Sequence, residues 1–117
     1  MITELVKFKN CSGLFLDGLY FYSPGNHHVV IHVHGSFGNF YSNAFIKVMA
    51  EIYNDRKINF LSFNLTQHDG LAEAVREQYH ICSWEYVGYS VSDYNSCIDD
   101  IGGATDYVRN RNNDVII

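Results

Sequence analysis

The stretch VVIHVHGSFGNF, residues 29 to 40, constrains the fold more than any other part of the chain. Val29 to Val33 is nearly continuous β-branched sequence, which suits a central strand covered on both faces in a largely parallel sheet. Such a strand needs a crossover, usually a helix, to reach its next parallel neighbour. The residues that follow supply one. After the small-residue turn His34-Gly35-Ser36-Phe37-Gly38, the period changes over Tyr41 to Asp55, where Phe45, Val48, Met49 and Ile52 fall at helical spacing. Ser42 or Asn43 serves as the N-cap. Ile58 to Leu65, INFLSFNL, is the next strand, entered through the charged turn Asp55-Arg56-Lys57.

Upstream, Glu4–Asn10 and Leu14–Tyr22 read as two strands separated by Cys11-Ser12-Gly13, an antiparallel opening. Asp17-Gly18 within the second is a bulge or tight turn, and Pro24-Gly25-Asn26 turns the chain into residue 29. Downstream, residues 66 to 91 carry the weakest pattern. LAEAVREQY, 71 to 79, is expected to form a short helix, and CSWEYVGYS, 82 to 90, an irregular aromatic excursion. Ser92-Asp93 then caps a long helix with the apolar stripe Tyr94, Cys97, Ile98, Ile101, Ala104, Thr105 and Val108. Gly102-Gly103 weakens that helix by about 1 kcal/mol per glycine unless close packing on the sheet requires them. After a polar turn over 110 to 114, Val115-Ile116-Ile117 reads as a buried strand just beginning. The expected fold is α/β, with antiparallel opening strands and then parallel strands joined by crossover helices. It forms a single domain over residues 1 to 117, incomplete because the last strand is unfinished.

Composition narrows the partners. With 47% apolar and 15% aromatic residues there is material for a core. The balance of 8 basic against 13 acidic residues offers no electrostatic footprint for nucleic acid or an anionic membrane. No apolar run approaches the roughly 20 residues of a membrane span, and Met1-Ile2-Thr3-Glu4 lacks a basic signal-peptide start, so the expected location is cytoplasmic. Cys11, Cys82 and Cys97 are odd in number and widely spaced, which favours buried free thiols over disulfides or structural zinc.

The apolar strand, His34-Gly35-Ser36-Phe37-Gly38-Asn39, the helix after it, INFLSFNL and the terminal DYNSCIDDIGGATDYVRNRNNDVII together resemble the first half of the alpha/beta-hydrolase superfamily, in its esterase, lipase and acyl-peptidase-like members. The similarity spans almost the whole chain and ends before the nucleophile elbow, a G-x-S-x-G turn that follows the next strand in such families. It implies a serine hydrolase acting on an ester, thioester or amide, with a small-molecule acyl substrate and no cofactor. H-G-x-x-G would be the oxyanion-hole loop, because acyl transfer builds negative charge on a carbonyl oxygen that backbone N–H groups can stabilise. By similarity the donor is the N–H of Ser36, with Phe37 the neighbouring alternative, and His34 orients the loop rather than acting as triad base. Nucleophile, acid and base would then lie beyond Ile117, leaving these 117 residues inactive.

Other readings compete with this one. Gly88-Tyr89-Ser90-Val91-Ser92 nearly matches the elbow, making Ser90 a nucleophile candidate, although Ser92 replaces the last glycine and no histidine follows His80. Strand alternation puts His28, His32 and His34 on one face, so His32 and His34 could offer an H-x-H pair to a metal, with His68 and Asp69 as further ligands. Asp99-Asp100 reads as solvated helix surface, because adjacent helical positions diverge by about 100°. Tyr79, Trp84, Tyr86, Tyr89 and Tyr94 either line an acyl pocket or pack a long excursion. A noncatalytic module that self-associates through an exposed sheet edge is the remaining alternative.

Overall fold

In a computed structural model that describes residues 1–112 and 116–117, the chain is a mixed α/β fold. Four strands, β1 (Ile2–Lys9), β2 (Phe15–Tyr22), β3 (His28–Val33) and β4 (Ile58–Phe63), form a sheet in the order β1-β2-β4-β3. β1 with β2 and β2 with β4 are antiparallel, whereas β3 and β4 are parallel, with helix α1 (Phe45–Asp55) as the crossover. The opening hairpin and the strand, helix, strand unit thus form as the sequence pattern predicts.

Which strand lies centrally differs from expectation. β4 is flanked on both sides, and Phe60, Leu61, Ser62 and Phe63 are all fully buried; β3 lies at the margin and keeps Val33 exposed. Asp17-Gly18 is neither bulge nor turn. Gly18 continues the ladder opposite Val6 and Phe63, and a Cβ there would come within 2.7 Å of the Ser62 carbonyl oxygen. The missing side chain lets β2 and β4 approach.

The sheet buries both faces. Phe21, Phe60, Ile46 and Ala50 make the core beneath α1; Phe8, Leu16, Tyr20, Val29, Leu61 and Phe63 pack beneath the second long helix, α2 (Ser96–Arg111), through Ala104 and Val108. Both helices are turned from the expected stripes. On α1 the inward residues are Ile46, Met49, Ala50 and Tyr53, leaving Phe45, Val48 and Ile52 exposed. The helix starts at Phe45, after Ala44, with no side-chain cap. Ser42 and Asn43 are not its caps; the side chain that organises the approach to the helix is Asn39, whose Oδ1 accepts the N–H groups of Tyr41 and Ser42. On α2 the inward set is Cys97, Asp100, Gly103, Ala104, Tyr107 and Val108, and Asn95 rather than Ser92-Asp93 stands at the N-cap. A Cβ on Gly103 would meet the Asn10 Cα and Lys9 carbonyl oxygen at 2.5 Å, so this glycine sets how closely α2 lies on β1.

Residues 71 to 90 are neither helix nor irregular excursion for most of their length. β5 (Ala72–Gln78) and β6 (Ile81–Val87) form an antiparallel hairpin separate from the main sheet. Tyr79 and His80 make its two-residue turn, both left-handed with φ of 52° and 63°, the geometry a twisted hairpin demands. Bidentate Arg76–Glu85 contacts at 2.9 and 2.7 Å tie the strands together, and Arg76 also donates to the Ser12 carbonyl at 2.7 Å.

Beyond α2, Ile116 forms a parallel bridge with His28: its N–H donates to the His27 carbonyl and its carbonyl accepts the Val29 N–H. The expected strand start is therefore placed on the outer edge of β3. Ile116 and Ile117 are exposed rather than buried, and Val115 lies outside the described residues. Cys11 and Cys82 are exposed and Cys97 half-buried; all three are free, so the expectation of buried thiols fails at two of them. No helix among the described residues is long and apolar enough to cross a membrane.

Candidate functional site

The bend after β3 is held by one imidazole. His34 is buried, and its Nε2 accepts the backbone N–H of Leu65 at 3.0 Å. A backbone amide can only donate, so Nε2 carries the lone pair and Nδ1 the proton, which goes to the Gly35 carbonyl at 2.8 Å. Both ring nitrogens are thus spent on backbone. Burial holds the His34 pKa below its ordinary value, against the opposing pull of the Gly35 carbonyl, and the ring is neutral.

The turn itself runs from Gly35 to Gly38, whose N–H donates to the Gly35 carbonyl at 2.9 Å. A Cβ on Gly38 would meet that same oxygen at 2.8 Å and His34 Nδ1 at 2.9 Å, whereas one on Gly35 would face open space. The second glycine is demanded by sterics. Phe37 adopts φ of 58°, uncommon for a bulky residue, and its ring lies 4.0 Å from that of Tyr89. Among the described residues, no acceptor takes the N–H of Ser36 or of Phe37. Both residues are solvent-exposed, so the bend is an open loop rather than a water-poor one. Beside it lies a cleft of about 280 Å³ walled by Val33, Leu65, Gln67, Tyr94, Cys97 and Ile101.

A carboxylate network buttresses the other side of the bend. Asp69 donates its N–H to the Gly38 carbonyl at 3.0 Å. Its carboxylate accepts Asn39 Nδ2 at 2.9 Å, the Tyr41 hydroxyl at 2.6 Å and His68 Nδ1 at 2.6 Å. Partial burial pushes the Asp69 pKa up, but the Tyr41, His68 and Asn39 donors outweigh it and hold the carboxyl below its usual range. The same hydrogen bond pushes the Tyr41 phenol up. Sequence reasoning placed His68 and Asp69 together only as metal ligands; the partners Tyr41 and Asn39 were not legible.

The H-x-H pair is not assembled. His32 lies on the α1 side, its ring 5.8 Å from those of Phe45 and Phe60 and its Nδ1 3.2 Å from Ser62 Oγ. His34, past the end of the strand, turns to Leu65 instead. Alternation stops where β3 stops. Among the described residues, no three His, Cys, Asp or Glu side chains gather closely enough to hold an ion.

Ser90 is exposed on the turn after β6, where Val91 and Ser92 both donate to the Gly88 carbonyl. β6 belongs to the separate hairpin, so this turn does not follow a strand of the main sheet, and no imidazole is bonded to Ser90 among the described residues. The aromatic residues Tyr79, Trp84, Tyr86, Tyr89 and Tyr94 are all exposed and form no packed cluster. Asp100 corrects the sequence reading outright: it is fully buried, accepting Asn10 Nδ2 at 2.9 Å, Thr66 Oγ1 at 2.7 Å and the Thr66 N–H at 2.7 Å. It locks α2 to the segment leaving β4.

No protein-family profile matches the sequence, and no curated protein matches it. Among solved structures the fold is similar to that of an esterase from Pyrococcus furiosus, with a TM-score of 0.68 and 14% identity. The match covers 97% of this chain but 36% of the esterase, so the chain spans about a third of that protein's length. At this identity the likeness concerns the fold.

Proposed function

We propose that this chain forms the amino-terminal portion of an alpha/beta-hydrolase-like serine hydrolase acting on an ester, thioester or amide, and that the bend at residues 34 to 38 is its oxyanion-hole loop. The observation carrying this reading is the parallel bridge of Ile116 to His28, which brings the chain after α2 onto the edge of the strand that ends in the bend. A strand continuing in that register would draw level with Val33 five residues past Ile116, as Val33 lies five past His28. In the superfamily, G-x-S-x-G stands at the end of that strand. A serine there would present the acyl carbon beside the unengaged N–H groups of Ser36 and Phe37. One such donor is worth roughly 3 kcal/mol of transition-state stabilisation. The cleft walled by Val33, Leu65 and Ile101 would receive part of the substrate.

The test is the coding sequence beyond the Ile117 codon, where an in-frame G-x-S-x-G at about that distance is expected; a different sequence there removes the reading. A fluorophosphonate probe applied to the 117-residue chain should leave it unlabelled. Stoichiometric labelling of Ser90 would place the nucleophile in the wrong element and overturn the assignment.

The outer edge of β3 beyond Val29, with Val33, Ile101 and Ile117 exposed, favours a second reading: self-association of a noncatalytic module through that edge. Sedimentation over a concentration series separates the two, a monomer at all concentrations excluding the second.

A further inference from the structure

His68 and Asp69 form a carboxylate–imidazole dyad that the hydrolase reading does not use. Asp69 accepts from Tyr41 and Asn39 as well, so its carboxylate is fixed, and His68 Nδ1 must donate to it. The tautomer follows: in the neutral ring, Nε2 carries the lone pair. The His68 side chain is only 16% exposed, yet Nε2 has no partner among the described residues and is not sealed from solvent. An imidazole anchored in this way is a directed hydrogen-bond acceptor.

What it lines is a cleft of about 220 Å³ between β2 and the β5–β6 hairpin. Its lining is mixed: the apolar Phe15, Leu16, Val75 and Trp84 stand beside the polar Asn64, Thr66 and His68. The volume falls below the roughly 300–1,000 Å³ of sites for drug-sized ligands, so the occupant is small. Lys7 and Asp17, also at the cleft, neutralise each other at 2.7 Å, and Glu73 adds an acid, so an anion is disfavoured. Trp84, also at the cleft, is 74% exposed, and an indole is a surface on which a planar molecule can stack.

We propose that this cleft binds a small, uncharged aromatic alcohol, its hydroxyl donating to His68 Nε2 and its ring lying against Trp84. The proposal rests on the dyad and the hairpin alone, and stands or falls apart from the hydrolase assignment.

Trp84 is the chain's one tryptophan, so its emission reads the cleft directly. Titration of the full chain with phenol, toluene and benzoate is the experiment. A saturable change in Trp84 emission is expected with phenol, about five-fold tighter than with toluene for one added hydrogen bond, and none with benzoate. His68→Phe should make phenol and toluene equivalent. Asp69→Asn should weaken phenol while keeping the imidazole, because an amide can donate to Nδ1 and move the ring proton to Nε2. Circular dichroism and thermal melts establish that each variant is folded. Absence of saturation in the unmodified chain, equal affinities for phenol and toluene, or a phenol preference that survives in a folded His68→Phe variant would each overturn the proposal.

Discussion

The backbone N–H of Leu65 and the Nε2 of His34, 3.0 Å apart, link the end of β4 to the bend after β3 and fix which nitrogen of the ring is protonated. Charging this ring would put a second proton where an amide hydrogen already points. Unfolding frees the imidazole to its ordinary pKa of 6.5, whereas burial keeps it lower in the fold. The unfolded state therefore binds more protons over that interval, and stability rises with pH. The His34 contribution is complete above about pH 6.5 and is lost as pH falls from there through the folded value. His32 is lowered by burial in the same sense. Asp69, lowered from 3.8, adds a separate loss only at more acidic pH. Urea unfolding between pH 7 and pH 5 should show the decline, and His34→Gln should flatten it. His34→Ala at pH 7 should cost about 1–3 kcal/mol, because the Leu65 N–H is left buried without an acceptor.

The two glycines of the bend should respond differently to alanine. At Gly38 the new methyl collides with the Gly35 carbonyl and the His34 ring, neither of which can withdraw without breaking the turn. A loss of about 1–3 kcal/mol is expected. At Gly35 the methyl enters open space and the backbone is not left-handed, so the change should stay within about 1 kcal/mol. Thermal melts of the two single variants make the comparison, and equal losses would mean the bend is not built as described.

Asp99 and Asp100 provide a similar contrast on α2. Asp100→Asn replaces an acceptor by a donor facing either Thr66 or Asn10, and should cost roughly 3 kcal/mol. The side chain of Asp99 makes no such bonds, and Asp99→Asn should change stability by about 0.5 kcal/mol or less. Chemical denaturation distinguishes them directly.

These residues also show why part of the molecule was legible in sequence and part was not. The β3, α1, β4 unit announced itself because its strands are β-branched or aromatic and its crossover has helical period. Periodicity counts apolar side chains only, and so it could not see that α2 faces inward through Asp100 and Gly103. It could not place Phe45, Val48 and Ile52 on the outside of α1 either, because the small Ala50 and the neighbouring Ile46 are what fit the sheet. The glycine-bearing bend was recognisable as a turn. The amide of Leu65 and the carboxylate of Asp69 were not, since both reach the bend from residues distant in sequence. The hairpin was missed for a local reason: its turn is Tyr79-His80, where left-handed conformations usually advertise themselves as Asn-Gly.

That mismatch yields the last prediction. Two consecutive side-chain-bearing residues at φ of 52° and 63° place each Cβ near the following carbonyl, at roughly 1 kcal/mol or more apiece. Tyr79 is 93% exposed, and its ring makes no packing contact that would be missed. Replacing Tyr79-His80 by Asn-Gly should therefore stabilise the hairpin by about 1–2 kcal/mol, less the extra freedom that glycine gains when unfolded. Hydrogen exchange should report this as slower opening of the cross-strand amides of β5 and β6, with the main sheet unchanged. If the β5–β6 amides exchange faster in the variant, the left-handed turn is not the conformation that Tyr79 and His80 adopt.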